Sequence, residues 1–292
     1  MALPLQASTA SRLRFGLAQE LARSCPPALG TDIAVTGSVA LGIADDDSDV
    51  ELNCWVDELP SAEERMAWIE QVGGQDTILE PEPWGGGTFA ATFRYQGVWV
   101  EMAWMTTASV EARLRPLLDR GASGQGRLVL AWVLAHAVPL RNAGLLVSWQ
   151  QALTVYPDWL RERVIEAGCG SFHNVQRMAA RWTFCRRRQP LALMERLTTD
   201  VHAVLRLLFA LNRRWEPDYK WLRQVTRDLG IAPDRLAGRI EEIFTAQELE
   251  QRVATSLGLI RDTLALLPST SGVELARRTI EECLRLGLDQ AR

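Results

Sequence analysis

Residues 32–56 read DIAVTGSVALGIADDDSDVELNCWV. The run Asp32-Ile33-Ala34-Val35-Thr36 predicts a short strand. It ends at Gly37-Ser38, a tight turn. Val39 to Ile43 predicts one helical turn, and Ala44-Asp45-Asp46-Asp47 a loop. Residues 48–56 then alternate in the manner of a second strand. In such a strand Asp49 and Glu51 share one face, while Val50 and Leu52 turn to the other.

Upstream, residues 8–24 place Leu13, Leu17 and Leu21 at helical spacing, with Ser8 or Thr9 as cap and Pro26-Pro27 as the stop. Downstream, Ser61 and Glu64 form a capping box that opens a helix to about Val72. Pro81 to Gly87 reads as a loop. Residues 88–95 and 97–104 read as strands joined at Gln96-Gly97. Beyond residue 106 the periodicity is helical, with candidates at 107–119, 126–137, 149–167, 172–187, 191–214, 218–229, 233–243, 246–266 and 272–287. Breaks fall at Gly121–Gly126, Pro139, Gly168–Gly170, Pro190, Pro217, Gly230 and Pro268. The expected class is α+β. A small mixed-sheet head occupies residues 1–106, and an all-helical domain occupies residues 107–292.

Charge divides along similar lines. Residues 1–110 carry 16 Asp and Glu against 5 Arg; residues 111–292 carry 20 against 27 Arg and Lys. An acidic head and a basic tail suggest two units with different jobs. Lysine occurs once, at Lys220. No apolar run reaches the roughly 20 residues of a membrane helix. The first residues, MALPLQASTASRLRF, lack the pattern of a signal peptide, so a cytoplasmic location is expected and no membrane partner. The five cysteines (25, 54, 169, 185 and 283) are scattered and form no CxxC pair, which argues against both a disulfide framework and zinc. No Walker A, GxSxG or HExxH pattern is present.

The chemistry concentrates in the opening stretch. A strand that ends at a Gly-Ser turn exposes backbone N–H groups, and such turns take phosphate oxygens. Glycine permits close approach, and Ser38 adds a hydroxyl. Asp49 and Glu51 repel one another, and a divalent cation resolves that repulsion. Glu101 is the lone charge in the apolar run Val98-Trp99-Val100-Glu101-Met102-Ala103-Trp104. It is the candidate third carboxylate, on a neighbouring strand, with an edge-strand surface position as the alternative.

GSVALGIADDDSDVEL resembles the signature of the polymerase-β-type nucleotidyltransferase superfamily, where a Gly-Ser or Gly-Gly turn precedes an Asp-x-Asp/Glu pair. Glu51 stands where Asp is commoner. The resemblance implies that Gly37 and Ser38 hold triphosphate, and that Asp49, Glu51 and Glu101 bind two Mg²⁺ ions. Glu101 would be a third ligand or a base for the acceptor hydroxyl. In the tail, Leu211-Asn212-Arg213-Arg214 with Tyr219-Lys220-Trp221-Leu222 is similar to segments of bacterial small-molecule (antibiotic-type) nucleotidyltransferase-like proteins with a helical C-terminal domain. So is Pro139-Leu140-Arg141-Asn142 with Tyr156-Pro157. That likeness implies that Lys220, with Arg213 or Arg214, supplies cations to the triphosphate.

The expected reaction moves a nucleoside monophosphate, AMP from ATP by preference, to a hydroxyl of a small acceptor such as an antibiotic or a biosynthetic intermediate. A protein acceptor, as in an AMPylating or antitoxin-like regulator, is one alternative. A catalytically degenerate nucleotide-binding scaffold is another. A nucleic-acid partner is not expected, because the head is acidic and no RNA-binding motif is visible. His136, His173 and His202 lack metal-ligand spacing. His202 reads as a core or groove residue and His173 as a weak site candidate. Arg186-Arg187-Arg188 reads as a solvated helix end, and Tyr219 and Trp221 as core packing in preference to base stacking.

Overall fold

The computed structural model describes residues 2–80, 87–121, 123–142 and 144–289. The loop expected at Pro81–Gly87 lies, except for Gly87, outside the described residues. The architecture is α+β, with a mixed six-stranded sheet followed by a run of helices. Two compact units result, Met1–Val155 and Tyr156–Arg292. No helix among the described residues is long and apolar enough to cross a membrane.

The first unit runs α1 (Thr9–Ser24), β1 (Asp32–Val35), α2 (Gly37–Ala40), β2 (Val50–Val56), α3 (Ala62–Gln71), β3 (Gln75–Leu79), β4 (Thr88–Tyr95), β5 (Val98–Thr106), α4 (Thr107–Leu118), α5 (Gln125–His136), β6 (Val138–Arg141) and α6 (Gly144–Ala152). Strand order across the sheet is β3-β4-β5-β2-β1-β6. All neighbours are antiparallel except β2 and β5, which pair in parallel at the centre. The β4–β5 hairpin turns on Gln96 and Gly97, both at positive φ, as a two-residue loop that follows the strand twist requires.

Period-two alternation sends Ile33 and Val35, Val50, Leu52 and Cys54, and Val100, Met102 and Trp104 into one core. Leu21 and Ala22 of α1, and Trp68 and Ile69 of α3, join it. The other residues of these strands, Glu51 and Asn53 on β2 and Glu101 on β5, occupy the opposite face and are half-buried. On that face, Trp149 of α6 meets Trp55 of β2 edge-on, with ring centroids 5.3 Å apart.

The head expected at 1–106 therefore ends too early. Strand β6 pairs with β1 through Ile33↔Arg141, Ala34↔Pro139 and Val35↔Val138, so the sheet is complete only at residue 141. Arg141 fixes it by donating from Nη1 to the Gly30 carbonyl at 3.1 Å and from Nη2 to Ala22 O; Asn142 donates to Thr31 O at 2.6 Å. The tail expected to be helical from 107 thus begins with a segment that belongs to the sheet unit.

The second unit is α-helical: α7 (Asp158–Gly170), α8 (Val175–Arg186), α9 (Pro190–Leu211), α10 (Leu222–Thr226), α11 (Leu236–Thr245), α12 (Leu249–Leu266) and α13 (Ser271–Asp289). The helix expected at 149–167 is in fact two, because α6 stops at Ala152 and Pro157 caps α7. The helix expected at 218–229 is a 3₁₀ turn at Tyr219–Trp221 followed by the five-residue α10. Helix α9 is the axis of the unit, burying Leu193, Leu197, Val204, Leu207 and Leu208 among others. Helix α7 approaches it closely at Gly168, where an added Cβ would stand 2.7 Å from Leu207 Cδ2. All five cysteines are free thiols and buried, as expected of packed reduced residues.

Candidate functional site

The Gly37 turn begins where β1 ends. Gly37 takes φ +59°, and a Cβ there would lie 2.5 Å from the Glu51 carboxylate. The positive φ requires glycine, and the carboxylate of Glu51, the mobile end of its side chain, rests directly over the turn. Thr36 N–H donates to the Glu51 carbonyl at 3.0 Å, which continues the β1–β2 ladder to the turn. Ser38 is buried, and its carbonyl accepts from Ile43 N–H at 3.0 Å.

Glu51 and Glu101 are register partners across the parallel β2–β5 pair, and Thr92 of β4 is the partner of Glu101 on the other side. Register partners share a face, so the order across the sheet is Thr92, Glu101, Glu51 and then the Thr36-Gly37 turn. Asn53, two residues on, donates from Nδ2 to Thr36 Oγ1 at 2.8 Å. Asp49 lies one residue before β2, half-buried, at the end of the acidic loop and not within the strand. Among the described residues no three His, Cys, Asp or Glu side chains are grouped so that they could hold a metal ion. The structure therefore brings Glu51 and Glu101 together beside Gly37, and does not gather Asp49 with them into a ligand trio.

The loop from Gly42 to Asp49 is held by α1, which sequence reasoning did not foresee. Arg14 is buried and donates to two loop carbonyls, Ser48 O at 2.6 Å and Asp46 O at 2.7 Å. Ser8 N–H donates to Gly42 O at 2.9 Å, Ser8 Oγ–H to Ala44 O at 2.6 Å, and Ala44 N–H to Ser11 Oγ at 2.9 Å. Within the loop, Ser48 Oγ–H donates to Asp45 Oδ1 at 2.8 Å. The signal was an arginine on the helix that precedes the turn, at a position its helical periodicity does not distinguish.

Of the other head arginines, Arg65 is buried with its guanidinium 4.3 Å from the Phe89 ring centroid, and burial lowers its pKa. Arg94 pairs with Asp76 at 3.4 Å, and Arg12 donates to Ala7 O at 2.5 Å. With Arg14, four of the five are thus engaged within the unit. Arg113 and Arg127 lie in the same unit, and burial, then the Arg127 charge, lower the pKa of Arg113.

The tail candidates belong to the second unit. Arg213 follows α9 at φ +54° and pairs with Asp158 at 2.5 Å; both are substantially exposed. Arg214 is exposed. Lys220 is exposed, and its backbone N–H donates to Asp218 Oδ1 at 2.9 Å. The Tyr219 hydroxyl donates to buried Glu216 at 2.7 Å, and its ring lies 5.4 Å from that of His202. Burial and the Glu216 charge push the Tyr219 pKa up. His202 is exposed, not a core residue. His173 is structural, with Nε2 at 3.0 Å from Gly272 O.

Residues 128–222 match a family model described as a domain of unknown function, DUF4037. The match includes Arg213, Arg214 and Lys220 and excludes the Gly37 turn and its carboxylates. No curated protein matches. Among solved structures, the chain is similar to a nucleotidyltransferase-like protein from Exiguobacterium sibiricum 255-15, at 14% identity and a TM-score of 0.38. The likeness covers 97% of this chain and 78% of that one. At that distance it carries nothing about this chain's activity.

Proposed function

We propose that this protein is a nucleotidyltransferase that moves a nucleoside monophosphate, adenylyl first, from a triphosphate to the hydroxyl of a small molecule, with pyrophosphate as the leaving group. The observation that carries this reading is the registration of Glu51 beside Glu101 next to the positive-φ turn at Gly37. Two carboxylates at register positions of neighbouring strands oppose each other electrostatically. Their hard oxygen donors fit Mg²⁺, though a third ligand is not grouped with them. Glu51 and Glu101, with Asp49 from the loop end, would hold the metal. When bound, it would neutralise triphosphate charge and activate the attacking oxygen.

The chain's own residues then have separate tasks. The Gly37-Ser38 backbone would receive phosphate oxygens after the Glu51 carboxylate moves off the turn. Glu101 would accept the proton of the acceptor hydroxyl. Arg14 and the Ser8–Ser11 hydroxyls would keep Asp49 at the mouth of β2 by fixing the loop carbonyls. A second reading, a nucleotide-binding head without transfer, draws on the absence of a grouped ligand trio among the described residues.

Incubation with each labelled nucleoside triphosphate, Mg²⁺ and a panel of hydroxylated small molecules, read by mass spectrometry, separates the two. A nucleoside monophosphate adduct that requires Mg²⁺ is the expected result. Saturable ATP binding with no adduct on any acceptor supports the scaffold reading. Transfer without divalent metal contradicts both.

A further inference from the structure

Helices α7, α8 and α9 of the second unit line a half-open cavity of about 310 Å³. Its titratable lining consists of Arg177, Arg181, Arg196 and Asp200, and Ser171 and Thr199 add hydroxyls. Arg181 and Asp200 are buried at 4% and 2% exposure. Arg181 donates from Nε to Asp200 Oδ2 at 2.6 Å and from Nη2 to Asp200 Oδ1. Its Nη1 donates to Arg177 O at 2.7 Å and Met178 O at 3.2 Å. Ser256 Oγ–H approaches Asp200 at 3.4 Å. The pair is thus a fixed, internally satisfied wall, and burying it is costly unless its geometry is maintained.

Against that wall stand two further guanidiniums. Arg196 is half-buried and Arg177 exposed, and among the described residues neither holds a side-chain ion pair. Three arginines and one aspartate leave a surplus of two positive charges in the lining. A phosphate monoester carries a charge of roughly −1.5 to −2 near neutrality, which matches that surplus. Guanidinium forks meet phosphate oxygens in pairs, and the exposed Ser171 adds a hydroxyl, whereas the Thr199 hydroxyl donates to Glu195 O at 2.8 Å. The volume lies at the lower end of small-molecule sites and exceeds what a surface ion contact needs.

We propose that this cavity binds a small phosphate-bearing molecule, with Arg177 and Arg196 gripping the phosphate and the Arg181–Asp200 pair holding the wall. The site lies wholly within the helical unit and does not depend on the nucleotidyltransferase reading.

The test is calorimetric titration of the full chain with inorganic phosphate, glycerol 3-phosphate and succinate at low ionic strength. Wild type, the double variant Arg177→Gln/Arg196→Gln, and Asp49→Asn are compared. Phosphate and glycerol 3-phosphate should saturate the wild type, with succinate weaker. The double variant should bind at least tenfold more weakly and still unfold cooperatively, because the hydrogen bonds that hold the buried Asp200 come from Arg181 and Ser256. Asp49→Asn should bind as wild type does. No saturable phosphate binding, equal binding by the double variant, preference for succinate, or loss of binding in Asp49→Asn each overturns the proposal. Failure of nucleotidyl transfer in the adduct assay would leave these titrations unaffected, so the two readings fail separately.

Discussion

Gly37 adopts a left-handed backbone that a side chain strains, with the movable end of Glu51 where a Cβ would go. Gly37→Ala should therefore destabilise the sheet unit by about 1–3 kcal/mol, read as a lower urea midpoint at constant slope. A midpoint equal to wild type would mean that the turn has another relaxed form. Asp49→Asn tests chemistry instead of shape. Asp49 sits at the end of a loop held through the carbonyls of Asp46 and Ser48 and through the Asp45 carboxylate, so the change at Asp49 should abolish transfer while the midpoint holds or rises. Full activity in that variant would remove Asp49 from the site. Lys220 is exposed and makes its visible hydrogen bond through the backbone, so its side chain is available for a phosphate. Lys220→Ala should weaken Mg·ATP binding about tenfold, equivalent to about 1.4 kcal/mol, in a titration without acceptor. An unchanged dissociation constant would make its singularity in the sequence an accident of composition.

At the scale of elements, α1 acts as the clamp on the acidic loop. Arg14→Ala removes charged donors from two partly buried loop hydrogen bonds and should cost about 1–2 kcal/mol in stability. Transfer should fall with it, and Arg14→Lys should restore little, since one ammonium cannot replace a fork that reaches Ser48 and Asp46 together. A variant with normal stability and activity would show that the loop holds itself. The central strands were legible because they alternate cleanly against a buried face, and the capping box at Ser61 and Glu64 is present as read. The two edge strands were not. β3, QDTIL, is largely exposed and so shows no apolar face, and β6 contains Pro139, which reads as a break. An edge strand tolerates proline because one side of its backbone needs no ladder partner. Glu101 was legible as a lone charge in an apolar run, whereas its registration with Glu51 depends on a parallel pairing that local pattern does not specify. Arg14 was illegible because an arginine on a helix face gives no sign of which carbonyls it will meet.

For the whole molecule, the division at 155/156 redistributes charge. The sheet unit to Val155 carries 18 Asp and Glu against 10 Arg, and the remainder carries 18 against 22 Arg and Lys. The contrast between the units is milder than a boundary at 106 suggests, and the unit that holds the carboxylates includes Arg113 and Arg127. The division also sets where the chain can be cut. Residues 1–155 alone should give a soluble, cooperatively unfolding sheet unit, whereas residues 1–106 alone should aggregate, as light scattering after refolding would show. Equal behaviour of the two fragments would mean that β6 contributes little.

The strand order has a temporal side as well. β1 leaves the ribosome first among the strands, yet its outer neighbour, β6, is completed at residue 141, some 35 residues after β5 ends at Thr106. At roughly 5–20 residues per second, that interval lasts about 2–7 s. For that time β1 of each nascent chain presents an unpaired backbone edge, open to strands from neighbouring chains on the same message. Synthesis speed across residues 107–141 is thus a determinant of yield, and slowing translation there should increase aggregation without altering the finished fold.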